Sequence, residues 1–214
     1  MTFFSEIFST IKLGGILMIP LSLLSILAIA LIFDKIMFFR KSIHLPQDLL
    51  TLIETYNFSW QKLEDELKEL SSENSYRRFF SVIVKNKNRP VWWLESRAAD
   101  EAKLIEKNLV SNLWILETIT TAAPLLGLLG TIVGMMASFK IIGAEGLVNP
   151  TGVTAGVAES LIATGFGLAI AIISLFAFNY FSRKNDEVMD EMERLGTRII
   201  DHVRIEEAQP NFRH

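Results

Sequence analysis

The sequence predicts an all-α integral membrane protein with three transmembrane helices, the second and third continuing into the cytoplasm. Three observations carry this. Half of the 214 residues are hydrophobic while 21% are charged, and the apolar ones gather in three blocks long enough to cross a bilayer. Lys and Arg are distributed one-sidedly between those blocks. No strand-like alternation, internal repeat or low-complexity segment interrupts the helical patterning.

The first block is Leu13 to Phe33, LGGILMIPLSLLSILAIALIF, about 21 residues, which at a 1.5 Å rise matches a hydrocarbon core of about 30 Å. It exceeds the apolar core of a secretory leader, follows Glu6 and Lys12, and carries no A-x-A cleavage pattern, so it reads as a retained anchor. Ahead of it, residues 1–12 place Phe4, Phe8 and Ile11 on one side of a helix, with Phe3 and Ile7 beside them. This suits an amphipathic segment at the outer interface, or simply an early start to the first helix.

The second block is Thr118 to Phe139, TITTAAPLLGLLGTIVGMMASF. The third runs from Val153 to Phe181 with a single charge inside it, Glu159. Of 21 Lys and Arg, 13 lie between the first and second blocks, six after the third, and only Lys12 and Lys140 elsewhere. Cations mark the cytoplasmic side. The expected organisation is an outer segment 1–12, a span 13–33, a cytoplasmic helical region 34–117, a span 118–140, a periplasmic loop 141–152, a span 153–181 and a cytoplasmic helical tail 182–214. Within 34–117, Trp60, Leu63, Leu67 and Leu70 recur at helical spacing. The stretch from Pro90 to Glu117 has no further Pro and no Gly, predicting one unbroken helix into the second span.

Several function classes fall away. A net charge of −3 and a pI near 5.7 provide no basic footprint for nucleic acid. There is no cysteine, hence no disulfide or thiolate metal site, and no HExxH, GxSxG or Walker A pattern. No cofactor or metal is expected. His44, His202 and His214 are scattered through the polar parts and are expected to be exposed.

The spans themselves hold the informative residues. In the second, Ala123, Gly127, Gly130, Thr131, Gly134 and Ser138 share one face, a pattern of close helix packing. In the third, Ala155, Glu159, Ala163, Gly167 and Ala171 form one ridge at spacing four, and Gly152, Gly156, Ser160 and Thr164 the adjacent one. Gly127, Gly130, Gly134, Gly156 and Gly167 are thus read as packing residues. Glu159 emerges from a track of small side chains where another helix can come close. A hairpin turning near Gly146 puts Thr131 about 15 and Glu159 about 13 residues from the turn, at similar depth. A carboxylic acid there costs roughly 2.5–3.5 kcal/mol to insert, and such groups mark ion and proton paths. Desolvation favours its neutral form, which suits proton relay. The alternatives are a protonated Glu159 that only hydrogen-bonds between helices, or one that snorkels outward. No Lys, Arg or His lies inside the spans, so any charged partner of Glu159 comes from another chain.

APLLGLLGTIVGMMASF (Ala123 to Phe139), AGVAESLIATGFGLAIAI (Ala155 to Ile172), FNYF (Phe178 to Phe181) and the first span with its exit, GGILMIPLSLLSILAIALIFDKIMFFRK, together resemble the MotA/TolQ/ExbB proton-channel family. The resemblance implies a homo-oligomeric helical bundle, a pentamer in the lipid of a bacterial inner membrane. It implies a pore holding single-span ExbD-like or TolR-like partners, each with an intramembrane Asp, and a TonB-like or TolA-like protein to which the work is passed. By position the family's proton pathway falls on Glu159, Thr131 and Thr164. Three spans with a large first inner loop look like ExbB or TolQ rather than the four-span flagellar subunit, with ExbB favoured by LLGLLGTIVGM and the short chain. Ile173 stands where many relatives carry Pro, so a kink expected from the family is in doubt. A carboxylate among hydroxyls also suits Na⁺.

Overall fold

The computed structural model describes residues 15–55, 58–145 and 150–208, with side chains for all of these except 140–145, 150–153, Ala155, Glu159 and Ala208. The amphipathic segment read over residues 1–12 and His214 lie outside the described residues. All regular elements among them are helices: α1 (Met18–Ser42), α2 (Gln47–Glu54), α3 (Trp60–Glu69), α4 (Ser75–Lys85), α5 (Val91–Leu109), α6 (Leu113–Glu145) and α7 (Pro150–Ala208). Stretches within Met18–Ser42, Val91–Phe139 and Gly156–Glu207 are long and apolar enough to cross a membrane. The chain forms two compact units, Met1–Phe33 with Asn112–Tyr180, and Asp34–Ser111 with Phe181–His214.

In the first unit α1 starts at Met18, where Gly15 adopts a positive φ of 73° and its carbonyl accepts from Met18 N–H at 3.1 Å. Its buried residues Met18, Leu21 and Ala28 fall on one face, and Ile19, Leu23, Ile26 and Phe33 are exposed. On α6 the buried positions Leu113, Leu116, Ile119, Ala123 and Ser138 continue through Gly127 and Gly130 as one stripe. Leu125, Leu128, Ile132, Met136 and Phe139 cover the exposed remainder. On α7 Ser160, Ala163, Ile170, Ala171 and Ser174 are buried.

The second unit is built differently. Leu63 and Leu67 of α3 are buried, as is Leu70 just beyond it, matching the sequence spacing. They join Leu49, Ile53, Tyr76, Phe79, Phe80, Ile83, Leu94, Ile105, Phe181, Met192, Leu195 and Ile199 in a core of large side chains. Asn74 starts α4, its Oδ1 accepting from Arg77 N–H at 3.1 Å and its Nδ2 donating to the His44 carbonyl at 2.6 Å. Phe79 lies against Gly196, where an added Cβ would come 2.8 Å from its ring. Tyr76, 1% exposed, donates to Glu191 Oε2 at 2.6 Å, and burial together with that carboxylate raises its phenol well above the ordinary range.

Three expectations change. The unbroken helix from Pro90 into the second span is two helices. Neither Gly nor Pro marks the break at Val110–Asn112. Asn112 takes a left-handed φ of 62°. Lys35, 3% exposed, donates from Nζ to the Leu109 carbonyl at 2.9 Å and to Ser111 Oγ at 3.2 Å, satisfying the end of α5. The loop read over 141–152 is largely helical, since α6 runs to Glu145 and α7 begins at Pro150. His202 is not exposed but half-buried, stacked on Phe58 with ring centroids 4.0 Å apart; His44 is exposed.

Candidate proton pathway

The antiparallel pair α6 and α7 positions the residues of interest. At its glycines the contact is with backbone and small side chains, which lets the axes approach closely. A Cβ built on Gly127 would lie 2.9 Å from Thr164 Cα, one on Gly130 2.9 Å from Ala163 Cβ, and one on Gly134 2.9 Å from Ser160 Cβ. On the opposing helix, a Cβ on Gly156 would meet Ser138 Oγ at 1.9 Å and one on Gly167 the Ala123 carbonyl oxygen at 2.5 Å. Gly165 differs, with nothing within 4 Å. Gly130 also approaches Leu17, whose Cδ1 would lie 3.8 Å from an added Cβ, so the chain just before α1 borders this seam.

These contacts define a register. Thr131 lies level with Ile162 and Ala163, within one turn of Thr164, whereas Glu159 lies level with Gly134 and Met135. The depth match read between Thr131 and Glu159 is therefore corrected: Glu159 sits about one turn, ~5 Å, nearer the α6–α7 connection. Counting from Gly146 missed this because α6 continues to Glu145 and the sequence does not mark the centre of the turn. Thr164 itself lies level with Gly127, so Thr131 falls between Thr164 and Glu159 in depth.

The hydroxyls are used differently. Thr164 Oγ1 donates across the seam to the Gly127 carbonyl at 2.8 Å. Thr131 Oγ1 donates within its own helix to the Leu128 carbonyl at 2.6 Å, as do Ser138 to Gly134 at 2.9 Å and Ser160 to Val157 at 2.7 Å. Each hydroxyl oxygen keeps acceptor capacity for a proton donor that approaches it. Pro124 lies inside α6 and has no N–H, which frees the Thr120 carbonyl one turn earlier. Glu159 is helical in α7 between Gly156 and Ala163, both of which meet α6; its side chain is outside the described residues. α7 continues as a helix through Ile173. Sequence reading overlooked Ser22 and Ser174, whose hydroxyl oxygens are buried without a hydrogen-bond partner among the described residues. The signal was a hydroxyl within an apolar run. Among the described residues no group of three or more His, Cys, Asp or Glu is placed to hold a metal ion.

Residues 71–194 match the model of the MotA/TolQ/ExbB proton channel family. An ExbB-like biopolymer transport protein of Synechocystis sp. is 34% identical over 175 residues, covering 78% of this chain and 81% of that one. The biopolymer transport protein ExbB of Aquifex aeolicus is 40% identical over 91 residues, 42% of this chain and 62% of the relative. That of Helicobacter pylori is 35% identical over 104 residues, 49% and 72% respectively.

Proposed function

The chain belongs to the MotA/TolQ/ExbB proton channel family, and from that premise we propose that it is an ExbB-type subunit of a proton-driven complex in a bacterial inner membrane. In this reading several copies, five by family pattern, surround single-span ExbD-like partners whose intramembrane Asp exchanges protons with Glu159. Thr131 and Thr164 line the route, and the work passes to a TonB-like protein that energises transport across the outer membrane. The N-terminus is periplasmic and the C-terminus cytoplasmic, following the distribution of Lys and Arg.

The observation that carries the reading is the α6–α7 seam. Five glycines bring the helices to near-backbone contact and place Thr131, on one helix, at a depth between Thr164 and the spans' one carboxylate, Glu159, on the other. A carboxyl in an apolar span, in a helix pair that also carries hydroxyls with spare acceptor capacity, is equipped to take up and release a proton. Gly127, Gly130, Gly134, Gly156 and Gly167 hold that geometry. Replacing Glu159 by Gln in a complex shown to assemble normally should reduce proton-motive-force-dependent uptake at least tenfold; uptake at the wild-type rate would overturn the proposal.

The Thr164–Gly127 bond favours a second reading, a passive helical scaffold in which hydroxyls serve packing alone. There Glu159→Gln is tolerated. A TolQ-type subunit working with TolR-like and TolA-like partners would share the same seam, and separates from the ExbB type by phenotype: loss of envelope integrity rather than of uptake.

A further inference from the structure

The second unit carries a concave basic ridge outside the membrane seam. Arg77, Ser81 and Lys85 follow one another at spacing four along α4, so they share a face. Two clefts flank that face and share all three residues. One, of about 300 Å³, adds Lys68, Glu64, Leu67 and Val84. The other, of about 390 Å³, adds Ser72, Arg78, Asn86 and Glu101.

The charges of this ridge are not balanced internally. Lys68 is paired with Asp65 at 3.0 Å and Arg78 with Glu101 at 2.7 Å. Arg77 and Lys85 have no ion pair to a carboxylate among the described residues. Arg77 is half-buried, and its guanidinium is tethered by one nitrogen, Nη1, to the Leu70 carbonyl at the end of α3. A neutral carbonyl fixes the position of the group without neutralising it, and leaves further donors of its planar fork unused. The Ser81 hydroxyl has no hydrogen bond among the described residues either. A pre-positioned guanidinium, an ammonium two turns along and a free hydroxyl between them are the donors that a phosphate group takes.

We propose that the Arg77–Ser81–Lys85 ridge is a binding site for a phosphate-bearing ligand. Arg77 supplies the fixed fork, Lys85 the flexible second cation and Ser81 a hydroxyl donor. The same donor set serves a lipid headgroup and a free phosphate compound. Purified full-length protein in neutral detergent, titrated in separate calorimetric arms with inorganic pyrophosphate and with dioctanoyl phosphatidylglycerol, distinguishes the two. Saturable binding in either arm supports the site, and the arm that binds names the source. Arg77→Ala and Lys85→Ala should each weaken it at least tenfold, and Lys62→Ala should leave it unchanged. Lys85 is exposed and tethers nothing, so its variant keeps the test readable if Arg77→Ala does not fold. Absence of saturable binding in both arms overturns the proposal. So does binding that Lys85→Ala leaves intact, or a Lys85→Ala variant that only changes the oligomeric mass, which would make the ridge a protein contact.

Discussion

Where α6 meets α7 the buried atoms belong to glycine, alanine and serine, whereas in the unit of Asp34–Ser111 and Phe181–His214 they belong to Tyr76, Phe79, Phe80, Leu94, Phe181 and Met192. The first unit turns most of its large side chains outward: Leu125, Ile132, Met136, Leu161, Ile172 and Phe176 are all exposed. In lipid, burying a leucine against protein gains little, because acyl chains are equally apolar, so helices associate through close backbone contact and interhelical hydrogen bonds. The second unit carries a charged exterior and a core of large apolar groups, the arrangement that removal from water stabilises. The two units show that the same helical elements are joined by whichever surface their solvent leaves unsatisfied.

Five substitutions break or sharpen that contrast. The largest effect is expected in the seam: Gly167→Leu should prevent the hairpin from packing, because even a Cβ meets the Ala123 carbonyl oxygen at 2.5 Å. Gly165→Ala, with open space around it, should stay within about 0.5 kcal/mol of wild type. Recovery of folded protein from detergent extracts and thermal unfolding check both; a stable Gly167→Leu protein would end the backbone-contact account. Next, Phe80→Ala in the other core should cost about 3–5 kcal/mol, by denaturant titration followed in the second unit. Thr164→Val should then cost about 0.6–1.7 kcal/mol through loss of the bond to the Gly127 carbonyl. Thr131→Val, losing only a bond within its own helix, should barely alter stability yet lower proton flux in reconstituted vesicles if the residue lines the path.

A further, sixth substitution reads out through pH. The Tyr76 phenol is held above its ordinary value, first by burial and then by the Glu191 carboxylate. Above about pH 10 the unfolded chain ionises this tyrosine while the folded one keeps its proton, so the unfolded state binds fewer protons and stability falls as pH rises, by at most about 1.4 kcal/mol per pH unit. Tyr76→Phe should flatten that alkaline decline. An unchanged slope between about pH 10 and pH 11 in parallel denaturant titrations would show that Tyr76 is not its source.

Much of the fold was legible because its signals are local. Three apolar blocks, the stripe of Leu63, Leu67 and Leu70, and the small-residue face of the second span follow from periodicity alone. The break between α5 and α6 was not, because it depends on Lys35, which is remote in sequence and donates to the Leu109 carbonyl, and on a left-handed Asn112 where a glycine would have been the visible mark. His202 escaped for a similar reason, since its stacking partner Phe58 lies on a distant segment. In the α6–α7 seam the small residues that make the contact were legible, and the relative depth of Thr131, Thr164 and Glu159 was not. Register comes from which small residues interlock, and the pattern of spacing four allows more than one setting.

The ends of α6 and α7, Glu145 and Pro150, leave just residues 146–149 to join them. So short a link makes the pair a single cargo for the insertion machinery. An isolated helix bearing Glu159 would enter lipid against a penalty of roughly 2.5–3.5 kcal/mol. Leu161, Ile162, Phe166, Leu168, Ile170, Ile172 and Ile173 of α7 each return about 0.3–0.6 kcal/mol, which nearly cancels that penalty. With α6 attached, entry of the hairpin is favourable overall. An ionisable side chain can therefore be delivered to membrane depth during biogenesis by the hairpin that carries it.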